Sequence, residues 1–527
     1  MHRAPMTGLS ADDKIICELS TSAAFDHPAE AVERLETHIS WLLLAGEFVY
    51  KIKKPIALPF LDFSTLAKRK HFCEEELRLN RYWAPELYVD VVPVTVCDGV
   101  ARLGGDGTVV DYAVRMHRFD QAMRLDNQLS SNELTADDML ALANYLAARH
   151  TEARVADPAE RDRVLDETRS LMMDNFDVLD GRFDEDRLAA LRRWTCRALD
   201  DLQSIVGRRF DDGHVRNCHG DLHLGNLVRL ETGLKAFDCI EFSADLRHID
   251  TICDISFLVM DLLSKDQAGL AAVFLNRYLE VTGDYEGVVL LELFTVYRSL
   301  VKAKVAVIRA DERASADERR ADLDAAARYL ALAVSRTKRP RPTLILMHGL
   351  SGSGKTYVST QLLTALPAIR SRSDLERKRL AGLGAYDSSA SPPGEGLYDA
   401  DSGRRTYERL RMLAAMILGA GHNVIIDAAF LDAGERRAAC LLAERLQAAV
   451  VIVDVRAPDA ELRQRVAERA ARRDTASEAD AAVLDYQLGT AEPLTPAELD
   501  MTVVCDNSLS SGDKDPVMKV RDAIDRR

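Results

Sequence analysis

Residues Gly349 to Thr356 read G-L-S-G-S-G-K-T. This completes the GxxxxGK[ST] spacing, and no other stretch constrains its surroundings so tightly. The glycines let backbone N–H groups turn inward around phosphate oxygens, Lys355 reaches the terminal phosphates, and Thr356 is set to ligate magnesium. Such a loop works only between a strand and a helix. The sequence supplies both, with the apolar run L-I-L-M-H before it and Y-V-S-T-Q-L-L-T-A-L after it. Downstream, N-V-I-I-D (423–427) and A-V-V-I-V-D-V-R (449–456) are further apolar runs separated by helical patterns. That alternation predicts a parallel α/β sheet. The expected nucleotide contacts are Gly349, Gly352, Gly354, Lys355 and Thr356.

Several side chains near this loop carry further chemistry. Asp427 ends N-V-I-I-D, where a carboxylate holds a metal or its water, or orients an acceptor. R-S-D-L-E-R-K-R-L puts Asp374 and Arg377 at the next strand-to-helix turn. Asp374 there either caps the helix or takes the proton of a substrate hydroxyl while Arg377 clamps an anionic group. In E-L-R-Q-R-V-A-E-R-A-A-R-R, Arg465, Arg469 and Arg472 fall on one helix face. That face is either solvated and paired with Glu461 and Glu468, or a lid that closes over phosphates. The stretch 385–403, A-Y-D-S-S-A-S-P-P-G-E-G-L-Y-D-A-D-S-G, has the composition of a mobile loop.

Charge divides the chain. From residue 336 onward there are 28 basic and 27 acidic side chains, so the net charge of −15 falls almost wholly on the first 335 residues. The division coincides with S-R-T-K-R-P-R-P-T (335–343), which has two prolines and no apolar side chain. We expect one domain over 1–335, a linker over 336–342 and a second domain over 343–527. A chain-wide basic footprint for nucleic acid is absent, which disfavours that partner, although a nucleic-acid end-processing kinase stays open for the last third. Nine scattered cysteines without a CxxC pair suit a reducing cytosol. The N-terminus lacks an apolar h-region, and nowhere do about 18 uncharged apolar residues run together. The expectation is a cytoplasmic chain with no membrane span.

The acidic part begins strand-rich. T-H-I-S-W-L-L-L-A-G-E-F-V-Y-K-I-K-K-P (37–55) reads as two strands joined at Ala45-Gly46, and 66–85 as a helix stopped by Pro85. From Thr135 the pattern turns helical, so a small lobe over about 1–118 precedes a helical lobe over about 119–335. Residues 219–226 read H-G-D-L-H-L-G-N, and Asp238 follows after the apolar K-A-F. Phosphoryl transfer from ATP needs one carboxylate near the acceptor hydroxyl and hard oxygen ligands for magnesium. Asp221, Asn226 and Asp238 supply those groups.

This part resembles the aminoglycoside phosphotransferase family of kinase-like enzymes through H-G-D-x-H-x-x-N. The resemblance implies a two-lobed protein-kinase-like fold, Asp221 as the catalytic base or hydroxyl-orienting group, and Asn226 and Asp238 as magnesium ligands. In V-Y-K-I-K-K, Lys51 and Lys53 share one strand face. Either could meet phosphates as the kinase strand lysine does, and V-Y-K favours Lys51, with Glu76 as its paired glutamate. No GxGxxG precedes Lys51. V-R-M-H-R-F (114–119) would be the hinge that meets adenine. The last third resembles small P-loop kinases, the group of polynucleotide kinase, zeta-toxin and gluconate-kinase-like enzymes, through G-L-S-G-S-G-K-T, R-S-D-L-E-R, I-I-D-A-A-F-L-D-A-G-E-R-R and E-L-R-Q-R-V-A-E-R. That implies Asp374 as general base, Arg377 as acceptor contact, and Arg465 and Arg469 as lid residues.

The joined arrangement resembles bacterial two-domain proteins described as bifunctional phosphotransferase/ATP-binding proteins. It implies two ATP·Mg2+ sites, each moving a γ-phosphoryl group to a hydroxyl of a small-molecule acceptor. A second reading makes the last third an ATP-binding regulatory module. Arg298, Lys302 and Arg309, at helical spacing in 294–309, either meet an anionic acceptor or pair with acidic groups of their own domain.

Overall fold

The computed structural model describes residues 11–58, 61–384, 387, 400–472, 480–509 and 515–526. They form two compact units, one of residues 1–134, 152–170 and 204–254, the other of 135–151, 171–203 and 255–527. The helices of 255–336 therefore belong to the same unit as the C-terminal sheet. Arg336, the first residue of the expected linker, is still helical: it completes the Ala316–Arg336 helix and its Nε donates to Glu292 Oε2 at 2.7 Å.

In the first unit, strands β1 (Val32–Glu36), β2 (Ser40–Ala45) and β3 (Phe48–Lys53) are followed by the two-residue pair β4 (Ala57–Leu58) and β5 (Leu61–Asp62), then by β6 (Tyr88–Cys97), β7 (Val100–Leu103) and β8 (Thr108–His117). Six of them form an antiparallel sheet in the order β1-β2-β3-β8-β6-β7. The two-residue period of a strand sends Tyr50 and Ile52 of β3 into one core with Trp41, Leu43 and Val94. Val49 faces a second core with Cys73, Val114 and Met116, and Lys51 and Lys53 share its side of β3. The Leu66–Trp83 helix covers that side. Thr65 caps it, and Arg69, Cys73, Glu76, Asn80 and Trp83 form its buried stripe. The short strands β9 (Val215–Asn217), β10 (Leu227–Leu230), β11 (Gly233–Ala236) and β12 (His248–Asp250) frame the H-G-D-L-H-L-G-N loop, with β10 pairing β11 and β9 pairing β12.

The second unit contains a five-stranded sheet, β13 (Thr343–His348), β14 (Ala368–Arg372), β15 (Asn423–Asp427), β16 (Ala449–Arg456) and β17 (Thr502–Asp506). All pairings are parallel, in the order β14-β15-β13-β16-β17. The three apolar runs expected as strands are the three inner ones. Burial on both faces demands continuous apolar sequence there, whereas the edge strands A-I-R-S-R and T-V-V-C-D carry charge and gave no such signal. Most of the loop expected over 385–403 lies outside the described residues, and its last four, 400–403, begin the Ala400–Gly419 helix. A separate helical core joins Phe176, Leu191, Val296, Leu300 and Val307.

No disulfide joins the nine cysteines, and no helix among the described residues is long and apolar enough to cross a membrane. Leu346, in the middle of β13, is fully buried. Leu346→Ala should lower the unfolding free energy by about 2–5 kcal/mol, read as an earlier midpoint in urea denaturation.

Candidate functional sites

Lys51 Nζ lies 2.9 Å from Glu76 Oε1 and also pairs with Asp238. Lys53 donates to Glu76 Oε2 at 2.6 Å and to Glu241. The two lysines differ in what holds them. Lys53 is fully buried and closed in by two carboxylates, whereas Lys51 is shared with Asp238, whose side chain is 43% exposed. Burial would push the Glu76 carboxyl up, but Lys51 and Lys53 outweigh it and hold the group down at about 2. Burial raises Glu241. Burial also opposes the charge on Lys51, yet Asp238 and Glu76 raise it above the ordinary lysine range.

The H-G-D-L-H-L-G-N loop is held from behind. Asp254, fully buried, accepts from the backbone N–H of His219 at 3.0 Å and of Gly220 at 2.9 Å. Gly220 sits at φ +85°, and a Cβ there would lie 2.7 Å from Leu246 O. Burial lowers His219 below the usual histidine range, and the ring packs edge-on against Trp83. In front, Asn226 Nδ2 donates to Asp221 Oδ2 at 2.9 Å and to Asp221 O at 3.0 Å. His223 Nδ1 accepts from Gly225 N–H at 3.1 Å, so in the neutral ring the proton sits on Nε2, 3.4 Å from Asp221 Oδ2. Asp238 adopts φ +60°, an uncommon conformation for a residue with a Cβ. Its N–H donates to Tyr88 Oη at 3.0 Å, and Cys239 N–H donates to Asn80 Oδ1 at 2.9 Å. The Leu66–Trp83 helix therefore positions both Glu76 and the segment that bears Asp238.

A cleft of about 730 Å³ lies in the same unit, lined by Gly46, Glu47, His117, Arg118, Phe119 and Asp120 among others. It joins the β2–β3 turn to the 114–119 segment.

In the second unit the phosphate-binding loop leads from β13 into the Lys355–Ala365 helix. Each glycine has a physical reason. A Cβ on Gly349 would lie 2.4 Å from Val455 O, on Gly352 2.7 Å from Leu462 O, and on Gly354 2.0 Å from Asn507 Nδ2, and all three have positive φ. Lys355 Nζ donates to Leu350 O at 2.9 Å. Burial pulls Lys355 down to about 8, Asp427 and Asp374 offset part of that, and Arg469 adds to it. A partly buried ammonium with two carboxylates in its field fits a phosphate-bearing ligand and a divalent cation. Thr356 lies in the first turn of that helix, and Asp427 Oδ2 accepts from Ser359 Oγ at 3.1 Å.

Asp374 lies in the first turn of the Ser373–Leu380 helix, where Arg372 is the N-cap, so it does not cap that helix. Arg377 Nη1 is 3.8 Å from Asp374 Oδ1. Arg465 braces the loop from outside: its guanidinium donates to Gly352 O, to Asn507 O at 2.8 Å and to Glu461. The field of Arg469 reaches Lys355, and the Arg472 side chain is outside the described residues. Arg309 pairs with Asp322, and Arg298 and Lys302 lie over the Phe257 ring at 4.8 and 5.3 Å. Asp254, Glu241 and Gln487, which accepts from Ser351 N–H at 2.8 Å, escaped sequence reading. Only Glu241, three residues past Asp238, stood near a motif.

Residues 344–494 match the family model AAA_33, an AAA domain. That stretch is a P-loop domain. The match spans the phosphate-binding loop, Asp374, Asp427, Arg465 and Arg469. A protein of Mycobacterium tuberculosis described as uncharacterized is 27% identical over 427 residues, covering 79% of this chain and 82% of its own. Among solved structures, a sugar kinase from Janibacter sp. aligns over 35% of this chain and 95% of its own, with 20% identity and a TM-score of 0.27. Amicoumacin kinase, solved with AMP-PNP, Ca2+ and Ami, aligns over 62% of this chain and 94% of its own, with 15% identity and a TM-score of 0.39.

Asp254→Asn leaves one of the two buried N–H donors at 219–220 facing an amide NH2. It should cost about 1–3 kcal/mol, seen as a lower thermal midpoint for the first unit. Gly352→Ala, with a methyl group forced against Leu462 O, should weaken binding of an ATP analogue at least about tenfold, or about 1.4 kcal/mol, measurable by calorimetry.

Proposed function

We propose that the protein is a bifunctional ATP-dependent phosphotransferase, with a kinase-like domain over 1–335 and a P-loop kinase domain over 343–527. Each domain moves the γ-phosphoryl group of ATP to a hydroxyl of a small-molecule acceptor. The observation that carries this reading is the joining of Lys51 to both Glu76 and Asp238 while Asn226 holds Asp221 by its own carboxylate. That is a phosphate-facing cation, two metal-competent oxygens and a base in one loop system.

In the first site Lys51 takes the nucleotide phosphates, Glu76 keeps Lys51 oriented, and Asn226 and Asp238 hold magnesium. Asp221 orients the acceptor hydroxyl and takes its proton as the acceptor oxygen bonds to the γ-phosphorus and ADP leaves. The exposed face of Asp238 and the hard oxygens beside it suit a divalent ion, which supplies charge neutralisation on the phosphates. In the second site the backbone of 349–356 cradles the phosphates, Lys355 meets the terminal ones, and Thr356 and Asp427 provide oxygen ligands. Asp374 is the base there, and Arg377 contacts the acceptor. The acidic balance of the first 335 residues favours a cationic acceptor for the first site.

Asp221→Ala and Lys355→Ala should each abolish one of two distinct phosphorylated products, with a rate loss of at least about a hundredfold in the affected reaction. The measurement is transfer from γ-labelled ATP into a metabolite pool by the full-length protein. A Lys355→Ala protein that makes the Asp221-dependent product at an altered rate, and lacks no product of its own, would replace the second kinase with a regulatory ATP module.

A further inference from the structure

Glu280 lies on the Ala268–Thr282 helix, before the stretch that matches the AAA domain, yet it is built into that domain's edge. Asn276 of the same helix acts as a substitute for a neighbouring strand. Its Nδ2 donates to Ala368 O at 3.0 Å, and its Oδ1 accepts from Arg370 N–H at 2.7 Å, so the outer edge of β14 is paired. Tyr285 Oη donates to Arg370 O at 3.1 Å, and Arg379 Nη2 donates to Glu280 O at 2.7 Å. These bonds fix the backbone that carries the Glu280 side chain.

The carboxylate faces two guanidinium groups. Arg370 Nε and Nη2 donate to Glu280 Oε1 at 3.0 and 2.7 Å. Arg370 Nη1 donates to Ser359 Oγ at 3.0 Å and Thr360 Oγ1 at 2.8 Å. With an Oγ lone pair occupied by Arg370, the single Ser359 hydrogen is shared between Thr356 O at 3.0 Å and Asp427 Oδ2 at 3.1 Å. Arg372 stands between two carboxylates, 3.7 Å from Glu280 Oε2 and 3.9 Å from Asp427 Oδ2. The Ser359 and Arg372 contacts of Asp427 both fall on Oδ2. Glu280, Arg370 and Asp427 are buried and Arg372 nearly so, where Coulomb attraction is far stronger than in water. Without the negative charge at 280, Arg372 would close on Asp427 and occupy the carboxylate that a cation needs.

We propose that Glu280 is a positioning residue for the P-loop site: by binding Arg370 and Arg372 it keeps Asp427 available to a divalent cation. This rests on the P-loop reading given above. The Ala268–Thr282 helix thereby makes the metal affinity of the second site depend on a segment outside the matched domain.

The test is direct Mn2+ binding, followed by electron paramagnetic resonance, to the full-length protein with a non-hydrolysable ATP analogue, in an Asp238→Asn background that silences the first site. Glu280→Gln should weaken Mn2+ binding by about tenfold or more. Glu280→Gln combined with Arg372→Gln should regain most of that loss, because the competing cation is gone. Arg372→Gln alone, which keeps the Glu280–Arg370 pair and serves if Glu280→Gln does not fold, should bind Mn2+ more tightly than the parent. Unchanged binding in Glu280→Gln, no recovery in the double variant, or weaker binding in Arg372→Gln would overturn the proposal. Lys355→Ala separates the two failures. Nucleotide-dependent Mn2+ binding that survives Lys355→Ala overturns the P-loop reading itself, whereas binding lost in Lys355→Ala but unchanged in Glu280→Gln overturns the role of Glu280 alone.

Discussion

Lys53 is taken wholly out of water and is met there by Glu76 and Glu241. The same constraint recurs through the molecule. Arg209 pairs with Asp250 through two hydrogen bonds at 2.7 and 2.9 Å, Arg436 with Glu498, and Arg370 with Glu280. A buried charge is tolerated only where an opposite charge and hydrogen bonds compensate its lost hydration. Each such pair therefore ties together segments distant in sequence and leaves them little freedom to slide. The candidate functional side chains hang on this framework. Lys51 is oriented by the Glu76 that also neutralises Lys53, and Asp427 is aligned through Ser359 by an arginine that Glu280 holds.

Lys355 is the exception that makes the pattern informative. Among the described residues it has no carboxylate within hydrogen-bonding distance, only the Leu350 carbonyl, and desolvation lowers its affinity for protons. A buried ammonium without a close anion is costly in the protein by itself and favourable once a phosphate arrives. At Lys51 the opposite holds, since Asp238 and Glu76 already stabilise the charge. A nucleotide bound there as proposed would compete with, or bring a cation to, the Asp238 carboxylate. The two candidate sites thus start from opposite electrostatic states.

Much of the site was legible in the sequence because phosphate chemistry imposes local spacing. G-L-S-G-S-G-K-T needs its three glycines within one turn of backbone, and in the structure each would clash if it carried a Cβ. H-G-D-L-H-L-G-N likewise places Asn226 within reach of Asp221, five residues apart, by the curvature of one loop. The inner strands β13, β15 and β16 announced themselves by continuous apolar runs. The edge strands β14 and β17 did not, because an edge tolerates arginine and aspartate. The ambiguity between Lys51 and Lys53 could not be resolved from alternation alone, since both face the same side of β3.

The sequence by itself determined the loops, the strand periods and the sharp partition of charge near residue 336, because each depends on neighbours within a few residues. Only the tertiary structure decided which carboxylate meets which cation. Asp254 under His219, Glu241 beside Lys53 and Glu280 behind Asp427 carry no local signature, because a carboxylate that compensates a buried charge can come from any segment the fold brings within 3 Å. The same holds for where the units divide. The proline-rich segment reads as a boundary, yet Asn276, Glu280 and Tyr285 bond to β14 and place the helix before that segment in the unit that follows it.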